Sequence, residues 1–233
     1  MTITSGTTRP VQRVDTQSAT FAGWLTQSFV WMFLALLITG VVGWFTLSNQ
    51  AILDRLSGAY LVLFIVQLAI GFGLGLAITR ISATLATLLF FVYAATMGVT
   101  IALIIYWAGY STTTVLSAAA AAGGMFGGAA IYGLVTKRNL ATMAGYLVMG
   151  LIGIIIASVV NIFIGWQTLN FVISVLGVLI FTGLTAYTVQ QIADGRLAAW
   201  LGPDKGAIYG AFQLYLNAIN LFLFMLRIFG GNR

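Results

Sequence analysis

The sequence predicts an all-α integral membrane protein, a bundle of seven transmembrane helices with the seventh helix at its centre. Three observations support this fold class: the composition, seven long apolar runs, and a row of amide side chains on the last run. Hydrophobic residues make up 61% of the 233 and charged residues only 6%, whereas charged residues make up about 25% of a typical soluble domain. The chain is therefore expected to lie in a lipid bilayer.

Windows of about 19 residues identify the seven runs, each long enough to cross about 30 Å of hydrocarbon at about 1.5 Å per residue. The runs cover residues 24–47, 58–79, 84–106, 112–135, 140–164, 169–192 and 206–229. The connections between them are short, so residues 24–230 are expected to form one seven-helix transmembrane domain. Residues 1–23, whose first part is polar, are interpreted as a flexible cytoplasmic tail.

Basic residues in the connections indicate the orientation, because cytoplasmic loops carry an excess of Lys and Arg. With the N-terminus inside, seven of the ten basic residues are cytoplasmic: Arg9, Arg13, Arg80, Lys137, Arg138, Arg196 and Lys205. The other three, which fall outside, are Arg55, Arg227 and Arg233. A cytoplasmic N-terminus is therefore expected, and a re-entrant last segment, which would bring the two C-terminal arginines inside, stays open as an alternative.

The residue types that are missing exclude several classes of function. The chain contains no Cys, His or Glu, and its four Asp, at positions 15, 54, 194 and 204, fall outside or at the edges of the apolar runs. Catalytic sites built on histidine or paired carboxylates, and metal sites built on Cys and His, are thus excluded within the spans. We expect no enzyme activity, no metal and no cofactor. The net charge of +6 comes from scattered basic residues that form no patch for nucleic acid.

The seventh run carries the most informative pattern, a row formed by Gln213, Asn217 and Asn220. Their spacing of four and then three residues places them on one helical face, which Gly206 and Gly210 continue. An unsatisfied amide in lipid is unfavourable, so this face must look into the bundle or a wet cavity. Two interpretations stay open: the amides fix the helix through interhelical hydrogen bonds, or they line a closed polar path.

Glycines in the fourth run suggest close helix packing. Gly123 and Gly127, and likewise Gly124 and Gly128, lie four residues apart, a spacing that lets helix backbones approach closely in lipid. A flexible gating hinge is the alternative. Two further polar residues, Gln190 and Gln191, are expected at the cytoplasmic end of the sixth run without a special role.

Two segments resemble the Bax inhibitor family, the transmembrane Bax inhibitor motif proteins. The first is LYLNAINLFLFMLRIFG, residues 214–230, and the second is FTGLTAYTVQQI, residues 181–192. The resemblance implies a protein of the bacterial plasma (inner) membrane with the seventh helix surrounded by the other six. It also implies a pH-sensitive calcium leak, in which paired aspartates on the sixth and seventh helices share a proton and an arginine from the second helix latches the closed state.

Carried over by motif position, the two aspartates of the family fall on Thr188 and Asn217, and the arginine falls on Arg80. Gly98 matches a family glycine in the third span. A pair of carboxylates titrates as a unit and provides a pH switch, whereas threonine and asparagine do not titrate. The sequence therefore predicts that the architecture is kept and that the proton switch is lost.

Two functions follow as hypotheses. The resemblance implies a leak channel with calcium as the transported ion, here without its switch. The alternative is a non-conducting protein that binds or regulates another membrane protein, such as a quality-control protease, because acidic groups are missing at membrane depth. Arg80 is interpreted either as a cation that extends to the cytoplasmic interface or as a partner of Asn217, Asp194 or Asp204.

Overall fold

A computed structural model describes residues 13–231 of the protein, with side chains described from Gly23 onward. Over this range the chain forms nine α-helices and no β-strand. They are α1 (Arg13–Leu47), α2 (Gln50–Gly58), α3 (Tyr60–Ala77), α4 (Ala83–Ala108), α5 (Thr112–Val135), α6 (Ala141–Ile164), α7 (Gln167–Ala193), α8 (Arg196–Leu201) and α9 (Pro203–Gly230).

Seven of these helices are long and apolar enough to cross a membrane, namely α3, α4, α5, α6, α7, α9 and the Gly23–Leu47 part of α1. The predicted fold class and the seven predicted spans are therefore confirmed. The helical backbone of α1 begins at Arg13 and so extends into the segment interpreted as a tail, while residues 1–12 of that segment lie outside the described residues.

The helix boundaries follow from local chemistry. The hydroxyls of Ser82 and Ser111 accept hydrogen bonds from backbone N–H groups in the first turns of α4 and α5, which caps both helices. Gly109 and Gly165 end α4 and α6 in the left-handed conformation, with φ of 62° and 73°, where glycine has no Cβ to clash. These short caps explain why consecutive spans reverse direction within a few residues.

The last helix, α9, is the centre of the bundle, as the amide row predicts. It packs against α1, α4, α5 and α7, and against the short helix α8. The spans α3 and α6 lie at the periphery, where α3 packs on α4 and α6 packs on α7. The central helix therefore has four of the other six spans as its main neighbours, fewer than the full ring that the resemblance implies.

An aromatic cluster joins α9 to α4. Phe90 and Tyr93 of α4 meet Phe212 and Tyr215 of α9 edge to face, with ring centroids 5.4 to 6.1 Å apart. Edge-to-face contacts at these distances are favourable for aromatic rings. All four side chains are buried, so α9 is closely packed on α4 at Phe212 and Tyr215.

The same face of α9 is hydrogen-bonded to α1. The hydroxyls of Tyr215 and Thr39 lie 2.7 Å apart, and Thr39 Oγ1 also lies 2.9 Å from the carbonyl of Ala94 and 3.0 Å from that of Ala35. Because the single proton of Thr39 is directed at these carbonyls, the Tyr215 hydroxyl is the donor to Thr39. One hydroxyl pair thus links α1, α4 and α9 inside the bundle.

Close backbone approaches occur at glycines other than those predicted. A Cβ at Gly98 of α4 would collide with the carbonyl oxygen of Thr39 in α1, and a Cβ at Gly133 of α5 would collide with that of Ala186 in α7. The prediction of close packing at the α5 glycines is wrong, because a Cβ there meets no described atom within 4 Å at Gly123, Gly124, Gly127 and Gly128. The buried face of α5 is built on alanines such as Ala118 and Ala122 instead.

Candidate functional site

The structure brings Thr188 of α7 and Asn217 of α9 into contact. The Nδ2 atom of Asn217 donates a hydrogen bond to Oγ1 of Thr188 at 3.3 Å. Both residues are buried, with 4% and 6% of their surface exposed. The distance is long for an N–H···O hydrogen bond, whose typical length is about 2.9 to 3.0 Å. The two positions that the resemblance assigns to the family aspartates therefore form a weak, uncharged pair inside the bundle.

This pair lies on the wall of a cavity of about 590 Å³ between α6, α7 and α9. All three amide residues of the predicted row, Gln213, Asn217 and Asn220, line it. On the α6 side the lining includes Ile155 and Ile162, which are 54% and 78% exposed on the outer surface of the bundle. The cavity therefore opens sideways toward the lipid.

The other two amides of the row make no described hydrogen bond to a neighbouring helix. Nδ2 of Asn220 donates to the carbonyl of Leu216, in its own helix, at 2.8 Å. Gln213 is half-buried, and its side chain has no hydrogen-bond partner among residues 23–231. Asn217 alone of the three thus makes the interhelical hydrogen bond that the sequence suggests, and the other two face the cavity.

Charged groups are absent from this cavity. Its lining contains no Asp, Lys or Arg, and the described part of the chain holds no group of three or more residues suited to bind a metal through His, Cys, Asp or Glu. Any cation in the cavity would meet neutral amide and hydroxyl oxygens, which are weaker ligands for calcium than carboxylates.

Arg80 is not brought to the Thr188–Asn217 pair. It lies in the exposed connection between α3 and α4, and within the described residues its side chain has no hydrogen bond or ion pair. Asp194, one of its expected partners, pairs with Arg196 at 3.1 Å instead. The structure thus gives no contact for the latch that the resemblance implies, and it agrees with the interpretation of Arg80 as a cation that extends to the interface.

Gln190 has a structural role that the sequence analysis did not predict. This residue is buried; its Oε1 accepts a hydrogen bond from the backbone N–H of Leu140 at 2.9 Å, and its Nε2 donates to the carbonyl of Arg138 at 2.8 Å. It therefore holds the α5–α6 connection against the end of α7. The polar pair Gln190–Gln191 beside an apolar run was the available signal.

Fold and site together define a helical membrane protein whose central last span places a neutral amide–hydroxyl pair beside a cavity open to lipid. The chain belongs to the Bax inhibitor family, because the family model described as "Inhibitor of apoptosis-promoting Bax1" matches residues 22–233. The resemblance of the two motifs is thereby confirmed.

Bacterial relatives match over nearly the whole length. An uncharacterized protein of Borreliella burgdorferi is 38% identical over 217 residues, which cover 90% of this chain and 92% of the relative. Inner membrane protein YbhL of Escherichia coli K12 is 37% identical over 219 residues, with coverage of 90% and 92%. The uncharacterized protein YrjE of Lactococcus lactis is 36% identical over 237 residues, with coverage of 95% and 96%.

Proposed function

We propose that this protein is a cation leak pathway of a bacterial inner membrane, with calcium as the transported ion, a cytoplasmic N-terminus and no proton switch. One observation carries the proposal. At the two positions that the family resemblance assigns to paired aspartates, Asn217 and Thr188 touch each other inside the bundle. The membership of the family and the inner-membrane relative support the rest.

The contact explains how such a pathway would behave. Asn217, Gln213 and Asn220 offer neutral oxygens to a cation along one side of α9. Without carboxylates these oxygens bind calcium weakly, so the flux is small. Separating Asn217 from Thr188 breaks one weak hydrogen bond, and neither residue changes charge with pH. The flux is therefore independent of pH.

A second candidate function is favoured by the sideways opening of the cavity. An amide such as Gln213, without a described partner and beside a lipid-facing opening, is suited to hydrogen-bond a helix of another membrane protein. In that case the protein conducts no ion and acts by contact, for example on a membrane-bound quality-control protease.

Calcium influx into liposomes separates the two functions. The purified protein is reconstituted beside the double variant Thr188→Asp plus Asn217→Asp, and influx is followed between about pH 6 and pH 8. We expect a small flux without a step for the natural sequence and a titration step for the double variant. The single variant Asn217→Asp is the matched control, because it adds a charge without forming a coupled pair.

Each outcome decides one point. A clear pH midpoint in the natural sequence would refute the loss of the switch. Absence of flux both in the natural sequence and in the double variant, with helical content unchanged by circular dichroism, would exclude the leak and favour the contact function.

A further inference from the structure

A second cavity, of about 420 Å³, lies at the end of the bundle where α5 meets α6 and α7 meets α8. Its charged lining consists of Lys137, Arg138 and Arg196 against the single carboxylate of Asp194. None of these residues lines the cavity with the amide row. The site is therefore separate from the proposed leak pathway, and its excess positive charge favours an anion.

The connection between α5 and α6, which carries Lys137 and Arg138, is held in place by hydrogen bonds. The buried side chain of Gln190 spans the backbone of this connection, accepting from Leu140 N and donating to Arg138 O. Asn139 in turn accepts a hydrogen bond from the N–H of Ala141, at 2.9 Å, where α6 begins. The backbone from Arg138 to Ala141 is thus fixed by three hydrogen bonds.

The third cation, Arg196, is positioned from the α7–α8 side. It pairs with Asp194 at 3.1 Å, and its guanidinium lies 5.6 Å from the centre of the Tyr187 ring. Its Nε is buried and finds no hydrogen-bond partner among the described residues. Nη2, which contacts Asp194, also donates to Oε1 of Gln190 at 3.4 Å. Nη1 makes no hydrogen bond within the described part of the chain and so keeps N–H groups for an anion in the cavity.

Lys137 and Arg138 are both exposed, and neither side chain forms an ion pair or hydrogen bond within residues 23–231. Like charges that line one cavity repel each other, and an anion between or beside them removes this repulsion. Three converging cations of this kind recognise a phosphate group well, because arginine and lysine are its usual protein partners.

The surroundings of the cavity indicate which kind of phosphate-bearing molecule it binds. It lies where the span α5 ends and the span α6 begins, and the headgroup layer of a bilayer is expected at the ends of spans. The adjoining turns expose Leu134 and Val135 on α5 and Tyr146 on α6, at 46%, 69% and 68%. An acyl chain can lie along these apolar side chains while its headgroup reaches the cations, which a free phosphate ion would not require.

We propose that this cavity binds the headgroup phosphate of an anionic phospholipid, with Lys137, Arg138 and Arg196 as its cationic contacts and Gln190 as the residue that positions the connection. Basic pockets at the ends of transmembrane helices are suited to such headgroups. The bound lipid would fix the α5–α6 connection to the membrane surface.

Native mass spectrometry tests this on the protein released from nanodiscs of equal parts phosphatidylglycerol and phosphatidylcholine. The ratio of retained phosphatidylglycerol to phosphatidylcholine is expected to favour the anionic lipid. Loss of a hydrogen bond to a charged group weakens binding roughly tenfold, so the variant K137Q/R138Q, which loses two contacts to the phosphate, should lose the preference by more than tenfold. The matched control R80Q/K205Q removes the same amount of charge from the same end of the bundle and should keep the preference for phosphatidylglycerol.

A third variant separates the positioning of the α5–α6 connection by Gln190 from the charge of the three cations. Gln190→Met keeps every cation but removes the two hydrogen bonds to the connection and the one from Arg196 Nη2, and it should lower the preference without changing the net charge. Thermal unfolding in phosphatidylcholine alone checks that each variant folds. If K137Q/R138Q or Gln190→Met does not fold, Arg196→Gln replaces it, and a loss of about tenfold is expected.

Three results would overturn the proposal. Equal losses in K137Q/R138Q and R80Q/K205Q would show diffuse surface attraction instead of a site. An unchanged ratio in K137Q/R138Q would exclude these cations as contacts. Equal affinities of the detergent-solubilised protein for inorganic phosphate and for a short-chain phosphatidylglycerol, at matched ionic strength, would show that acyl chains contribute nothing and would assign the cavity to a free anion.

Discussion

The two faces of α9 differ in how tightly they are held. Toward α1 and α4, Phe212 and Tyr215 are 2% and 0% exposed and pack edge to face on the rings of α4. Toward α6 and α7, Asn217 makes one hydrogen bond at 3.3 Å beside a cavity of about 590 Å³. The central helix is thus closely packed toward α4 at Phe212 and Tyr215 and toward α7 at Leu221 and Phe224, and the amide cavity separates it from α6.

This difference indicates which part of the bundle can rearrange. Close-packed interiors resist small displacements, because every shift breaks many contacts at once. The cavity between α6 and α9 carries no such penalty, because α6 packs on the bundle chiefly through α7. We therefore expect α6 to move against α9, while the contacts at Phe212, Tyr215, Leu221 and Phe224 keep α9 fixed to α4 and α7. Three substitutions test this comparison.

The largest effect is expected on the aromatic face. Tyr215→Ala removes a fully buried ring together with its hydrogen bond to Thr39, so it should lower the free energy of unfolding by roughly 3 kcal/mol. Unfolding by sodium dodecyl sulfate in mixed micelles measures the change. The matched variant Tyr215→Phe keeps the ring and should lose only about 1 kcal/mol. Equal losses in the two variants would mean that the hydroxyl, and not the packing, holds this face.

An intermediate effect is expected where the amide face meets α8. A Cβ at Gly206 would lie 2.8 Å from the backbone N of Ala198, so Gly206→Ala forces the two backbones apart and should cost about 1 to 3 kcal/mol. The same unfolding measurement applies. Gly75→Ala on the peripheral α3 is the control, because a Cβ there meets no described atom within 4 Å. If Gly206→Ala were as stable as this control, α9 would be loose along the whole of its amide face.

The smallest effect is expected at the amide pair itself. Asn217→Leu removes the hydrogen bond to Thr188, and interhelical hydrogen bonds in membranes contribute about 0.6 kcal/mol on average. Asn220→Leu is the control from the same face, since its amide bonds only to its own helix. A loss above about 2 kcal/mol for Asn217→Leu would contradict the description of this face as weakly held.

The parts of the fold that depend on local pattern could be predicted from the sequence. Seven spans follow from hydropathy, and the central place of α9 follows from amides four and three residues apart, because a polar stripe in lipid must face inward. The pairing of Thr188 with Asn217 was available from the family motifs alone, and its functional part stays a prediction.

The parts that depend on which faces meet could not be predicted. Gly123 and Gly127 have the spacing of a packing motif, yet the face of α5 that is buried carries alanines. Likewise, the link between Thr39 and Tyr215 joins residues 176 positions apart, and hydroxyls in separate spans give no sign of their mutual distance. Gln190 shows the same limit, because its partners lie on a connection about 50 residues earlier.

The sideways opening of the amide cavity has one more consequence. Because α6 packs on the bundle chiefly through α7, the missing wall of this cavity is completed by whatever solvent surrounds the molecule: a lipid tail in a bilayer, a surfactant tail in a micelle. The length and saturation of the lipid or surfactant tails should thus change the shape of the cavity. Its hydration should differ between thin and thick bilayers even when the amino-acid sequence does not.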